Sequence, residues 1–118
     1  MKRYTIGLIT LLLIVGCSKP INDETLIEKD GLKYHPDTKE LYTGKTTKNI
    51  LGGTKEFEGS YEDGKKDGLW TYWDHKGQKS KEETFKNGKE DGLWAYWDHK
   101  GQKSREETWK APSGSWGP

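Results

Sequence analysis

Between Gly64 and Lys110 the chain carries one segment twice, GKKDGLWTYWDHKGQKSKEETFK followed by GKEDGLWAYWDHKGQKSREETWK, displaced by 24 residues. Of the 24 aligned pairs from Gly64/Gly88 to Asn87/Ala111, 19 are identical. A duplicated unit of this length is a supersecondary element that cannot bury its apolar side alone and stacks on its neighbour. Such a chain folds as an array, and its function belongs to the surface the array presents rather than to a single enclosed pocket.

Each copy reads as a β-hairpin. A Gly-rich bend, Asp63 to Gly68 or Asn87 to Gly92, leads into a short aromatic strand, Leu69 to Trp73 or Leu93 to Trp97. Side chains alternate along a strand, so Trp70 and Tyr72 share one face while Leu69 and Trp73 share the other. Asp74-His75-Lys76-Gly77 fits a turn closed by glycine, repeated by Asp98 to Gly101. The returning strands, Gln78 to Phe85 and Gln102 to Trp109, are polar and end on an aromatic ring. Copies in step predict aromatic ladders that join Trp70 to Trp94 and Tyr72 to Tyr96. The other face carries Trp73 and Trp97 beside lysine stems, where cation–π contacts are available. Register decides which face is buried, and the sequence leaves it open.

No segment shows a sustained helical period of apolar residues. The expected fold class is all-β, a meandering antiparallel sheet of stacked hairpins. One-third of the residues are charged, yet there are 6 Trp and 6 Tyr among 118. That balance is too polar for a large aliphatic core and too aromatic for disorder, so the core is expected to be built from rings.

The amino terminus is an export signal by composition. Lys2 and Arg3 precede an apolar run from Ile6 to Val15, shorter than the ~20 residues that span a bilayer. Leu13-Ile14-Val15-Gly16-Cys17 resembles a bacterial lipobox. By that resemblance residues 1–16 are a signal peptide that is removed, and Cys17 is lipidated to anchor the chain in a membrane. A plain secretory signal with a chance cysteine, or an uncleaved anchor, are the alternatives. Cys17 is the only cysteine, so no disulfide forms within the chain and the thiol is kept for the lipid. Ser18, rather than Asp, follows it; in a Gram-negative envelope this resembles the pattern sent to the periplasmic face of the outer membrane. Without Lys2 and Arg3, 18 basic residues face 19 acidic ones. No clustered basic excess suits nucleic acid.

Residues 17–24 read as the lipidated end and a linker, with Pro20 opposing regular structure. Residues 25–62 read as an N-terminal hairpin segment, with a turn at Asp30-Gly31 and strand preferred over one helical turn near Asp23 to Leu26. Residues 63–110 hold the two repeats. Residues 111–118 are a frayed tail or an eroded half-repeat in which Gly114 and Trp116 echo Gly92 and Trp94.

The run Tyr61 to Tyr72, centred on Gly64-Lys65-Lys66-Asp67-Gly68-Leu69-Trp70 and echoed by Phe85 to Tyr96, resembles the bacterial variant of the MORN repeat. Tyr42-Thr43-Gly44-Lys45 resembles the segment that precedes such repeats, so the likeness covers roughly Leu32 to Lys110. It implies stacked antiparallel hairpins. Many members are labelled antitoxin components of toxin–antitoxin pairs, which in an exported chain would imply protection against an envelope-acting toxin.

Catalytic chemistry finds little footing. Asp74-His75 and Asp98-His99 lie at expected hairpin tips, where the Asp caps a turn and the imidazole is solvated. One His per copy supplies too few ligands for a metal. Glu82-Glu83 and Glu106-Glu107 lie on strands, so adjacent carboxylates point to opposite faces. The expectation is no catalytic residue, no metal and no cofactor. Two function classes remain. One is a protein-interaction module in the cell envelope that uses Trp70, Tyr72, Trp73, Trp94, Tyr96 and Trp97; the other is a cell-wall or carbohydrate binder that stacks sugars on the same rings. A concave ring-lined groove would favour the second and a flat patch the first.

Overall fold

A computed structural model describes residues 19–110; the expected signal peptide 1–16, Cys17, Ser18 and the stretch 111–118 lie outside the described residues. The elements are β1 (Ile21–Asn22), a 3-10 turn (Asp23–Thr25), β2 (Ile27–Lys29), β3 (Leu32–Tyr34), β4 (Gly44–Asn49), β5 (Lys55–Glu62), β6 (Lys65–Trp73), β7 (Lys79–Lys86), β8 (Lys89–Glu90), β9 (Gly92–Trp97) and β10 (Lys103–Trp109). The main sheet runs in the order β1-β4-β5-β6-β7-β9-β10, with β8 also paired to β7. Every pairing in it is antiparallel except β1 with β4. β2 and β3 form a separate two-stranded ribbon. The all-β meander expected from the sequence is what the chain adopts.

Its turns follow from local chemistry. Asp63-Gly64 joins β5 to β6 with φ of 50° and 81°, and Asn87-Gly88 joins β7 to β8 with 52° and 79°. Positive φ at both central residues defines the two-residue hairpin turn whose twist matches that of the strands. Asp, Asn and Gly tolerate that region best. The wider loops close on the opposite side. Asp74 N–H donates to the Gln78 carbonyl at 2.8 Å, and Asp98 N–H to the Gln102 carbonyl at 2.8 Å. The carboxylate of Asp74 accepts from the Lys76 and Gln78 amides, and that of Asp98 from the Lys100 and Gln102 amides.

A third hairpin of the same design, β4–β5, lies within the N-terminal hairpin segment expected over residues 25–62. Its loop is closed by Ile50 N–H donating to Thr54 O at 2.8 Å, as in the other two. Each of the three hairpins has a register slip beside its loop, at Lys48/Asn49, Tyr72/Trp73 and Lys103/Arg105. The helical-turn alternative holds at Asp23–Thr25, where Asn22 caps a single 3-10 turn by accepting from Glu24 N–H at 3.1 Å. The strand preferred there begins only at Ile27.

One face of the sheet, here the inner face, holds the core. Trp70 is 1% exposed and packs with Tyr61 and Leu26, while Ile21, Tyr42, Phe57, Tyr72 and Phe85 close around them. The indole N–H of Trp70 donates to Ser60 O at 3.0 Å, and that of Trp94 to Thr84 O at 2.9 Å, so neither ring leaves its polar atom unpaired. The segment from Ile21 to Tyr42 covers this face at the β4–β5 end. The Asp23 carboxylate fastens the cover. It accepts from the Tyr61 hydroxyl at 3.0 Å, stands 3.1 Å from the Thr46 hydroxyl and 3.9 Å from the Lys33 ammonium.

The expected ladders need correction. Strand β7 lies between β6 and β9, so Tyr72 and Tyr96 are each paired with Lys81 rather than with each other. Trp70 stacks instead on Tyr61 and Phe57, and Trp94 on Phe85 and Trp109. The return strands, which the sequence showed as polar, supply the rungs between the aromatic ones.

Candidate functional site

The six aromatic residues expected to form a binding surface divide between the two faces. Trp70 belongs to the core. Tyr72, Trp94 and Tyr96 lie on the same inner face and are half-buried. Trp73 and Trp97 occupy the outer face, with Leu69 and Leu93 beside them by strand alternation. These leucines are 53% and 47% exposed. Among the described residues no segment lies over the outer face, and its middle row includes buried Thr71 and Ala95 between the larger side chains.

Lysines sheathe the outer indoles. The Lys55 ammonium stands 5.4 Å from the Trp73 ring centre, and those of Lys79 and Lys103 stand 5.1 and 5.6 Å from the Trp97 ring centre. Each of these lysines also bonds the glutamate three residues on, Glu58, Glu82 and Glu106. Exposed pairs of this kind contribute only ~0–1 kcal/mol, so their effect is to hold lysine stems over rings rather than to hold the fold. The result is an amphipathic surface of indoles, leucine side chains and paired charges. Each outer indole thus has at least one ammonium over its ring, where a stacking sugar would have to compete with it.

On the inner face a second polar set emerges that sequence reasoning missed. Glu83 is 6% exposed and pairs with Lys81 at 3.0 Å. Lys81 lies 4.4 Å from the Tyr72 ring centre. The arrangement recurs at the next hairpin, where Arg105 lies 4.1 Å from the Tyr96 ring centre and 3.7 Å from Glu107. Lys66 reaches the same face and rests 4.7 Å from the Trp70 ring centre and 4.8 Å from that of Phe85, with the Tyr72 hydroxyl at 3.3 Å. Burial pushes the Lys66 ammonium below its ordinary pKa, partly offset by Glu83. Burial, followed by the Glu83 carboxylate, pushes the Tyr72 phenol well up. The only sequence signal for Lys66 is that its counterpart in the second copy is Glu90, a charge reversal inside an otherwise repeated motif.

The Asp-His pairs stand where turn chemistry put them, with His75 and His99 exposed. Backbone amides, first that of Gln78 and first that of Gln102, hold the Asp74 and Asp98 carboxyls below their ordinary range. Glu82 and Glu83 do face opposite ways, one to Lys79 and one to Lys81. Among the described residues no three metal-ligating side chains converge, and no helix is long and apolar enough to cross a membrane.

No family model, curated protein or solved structure matches the chain. The likeness to MORN repeats therefore rests on the quoted residues alone.

Proposed function

We propose that the chain is a membrane-tethered lipoprotein whose sheet acts as a non-catalytic protein-interaction module of the cell envelope, in an immunity-like role against an envelope-acting toxin. The observation that carries this reading is the outer face, uncovered among the described residues, where Trp73, Trp97, Leu69 and Leu93 lie among paired charges. Aromatic side chains set in a mixed apolar and charged surface are what protein interfaces enrich. Lysine-sheathed indoles favour a protein surface over a sugar platform. In this reading residues 1–16 are removed, the acylated Cys17 holds the chain in the bilayer, and the β1 edge is the membrane-proximal one, since Lys19 and Ile21 follow the anchor directly.

Two measurements test it. Metabolic labelling with palmitate should mark the chain, and Cys17→Ser should abolish the label. Crosslinking from native membranes should capture one envelope protein saturably, and Trp73→Ser with Trp97→Ser should reduce that capture by roughly tenfold or more, the loss typical of central interface aromatics, while the melting curve stays in place. Capture of cell-wall glycan alone, or protein capture indifferent to both tryptophans, would refute the proposed surface.

A further inference from the structure

The turn of the β2–β3 ribbon and the inner face of the sheet border an open cleft of about 330 Å³, lined by Tyr61 and Phe85 and by Lys33, Lys65, Lys66 and Glu28. Its charges are unevenly matched. Lys33 is engaged by Glu28 at 3.3 Å and by Asp23 at 3.9 Å. Glu83, the buried carboxylate of this face, is engaged by Lys81. Lys65 and Lys66 make no ion pair among the described residues, and Lys66 meets only two aromatic faces and a phenol. A half-buried ammonium that touches two ring faces and a phenol, and feels Glu83 and Asp23 only through space, is under-compensated, and an incoming carboxylate in direct contact would supply what is missing.

The repeat gives an independent argument. The scaffold does not require a cation at this position, because the second copy places the exposed Glu90 there and forms the same hairpin. Lys66 is therefore a feature of this cleft rather than of the sheet.

Resting on the protein-interaction reading above, we infer that this cleft is the docking site for an acidic segment of the protein partner, with a glutamate or aspartate carboxylate on Lys66 and its methylenes against Phe85 and Tyr61. Phosphate chemistry fits less well. No arginine lines the cavity, and the amides of Gly64 and Gly88 at its border already donate to Tyr42 O at 2.8 Å and to Lys66 O at 2.9 Å. Tight phosphate sites use forked guanidinium or free backbone donors. An anionic bilayer surface needs protruding, clustered cations, whereas Lys66 is half-buried against two rings.

The experiment uses the full chain in detergent micelles and two dye-labelled eight-residue peptides, one alternating Leu and Glu and one alternating Leu and Gln, read by fluorescence anisotropy. The Glu peptide should bind saturably, and the Gln peptide about tenfold more weakly or worse, as when a partly desolvated charge pair loses one partner. Lys66→Met, which keeps the stem on the rings, should cost a similar factor, and Lys65→Gln a smaller one. Lys100→Gln, at a hairpin tip, should change nothing. Equal binding of the two peptides would overturn the inference. So would an undiminished affinity in Lys66→Met, equal losses in Lys100→Gln and Lys66→Met, or displacement of the Glu peptide by equimolar inorganic phosphate. Should Lys66→Met fail to fold, Lys65→Gln decides by the same criterion. Membrane capture that needs Trp73 and Trp97 but ignores Lys66 would sink the cleft and leave the interaction module standing; peptide binding without any membrane capture would do the reverse.

Discussion

The indole of Trp70 lies directly across Gly59 on the neighbouring strand, so close that a Cβ at Gly59 would come within 2.2 Å of a ring carbon. Glycine at this rung is a matter of space: the ring fills the volume a side chain would take, which is how Trp70 reaches 1% exposure. Gly59→Ala should destabilise the domain by roughly 1–3 kcal/mol, as overpacking does. Urea denaturation at neutral pH measures it, and an unchanged midpoint would contradict this packing.

Trp94 occupies the corresponding place one hairpin on, but there Glu83 stands where Gly59 stood, and the ring stays half-buried against Phe85 and Trp109. The two tryptophans should therefore differ. Trp70→Ala should cost ~3–5 kcal/mol, a large share of the ~5–15 kcal/mol available to a natural domain. Trp94→Ala should cost clearly less. Chemical denaturation of both single variants compares them, and equal losses would show that the inner face is uniformly packed.

Much of this design was legible in the sequence, and the missing parts have physical causes. Strand alternation placed Trp73 opposite Trp70, and Asp74-His75-Lys76-Gly77 announced its own turn, because both are local effects. A hairpin segment was legible over residues 25–62, but the kinship of β4–β5 with the two repeats was not, because its side chains have diverged. Thr46 stands where the repeats have Trp70 and Trp94, and only anchors such as Gly44, Lys55 and Glu58 keep step with Gly68, Lys79 and Glu82. The 24-residue period aligns Trp70 with Trp94 but does not show the return strand that a hairpin interposes between them. The cleft around Lys66 depends on the β2–β3 ribbon that borders it, a long-range relation that no periodicity encodes.

Tyr61 and Tyr72 set an alkaline limit. Burial, then Asp23 for Tyr61 and Glu83 for Tyr72, raises both phenols well above the ordinary 10.0. A group whose pKa is raised by folding contributes stability that is intact below its ordinary value and lost as pH climbs from there toward the folded value. The domain should therefore unfold as pH rises above about 10, with a late tyrosinate absorbance step coincident with the loss of circular dichroism. Tyr72→Phe should shrink that step.

Asp74 and Asp98 govern part of the acid limb. Their carboxyls, lowered from 3.8 chiefly by the Gln78 and Gln102 amides, contribute stability above that value and lose it as pH falls through the folded one. The double change Asp74→Asn and Asp98→Asn should lower the melting temperature at neutral pH and flatten its fall between about pH 5 and pH 2. A parallel downward shift at all pH values would show that the carboxylates are not the titrating groups.

The nearest-neighbour path of the sheet also sets an order of folding. From β4 to β10 each strand pairs with the strand just before or just after it, apart from the small interruption at β8, so every closure is a short loop. Short loops close fast and at little entropic cost. The cover does not share this advantage: the bond between Tyr61 and Asp23 spans 38 positions of chain. The hairpins can zip one onto the next before that bond forms, and the clasp at Asp23 then closes over an array already assembled. In kinetic terms Trp70→Ala should slow refolding, while Asp23→Asn should leave the refolding rate nearly unchanged and hasten unfolding.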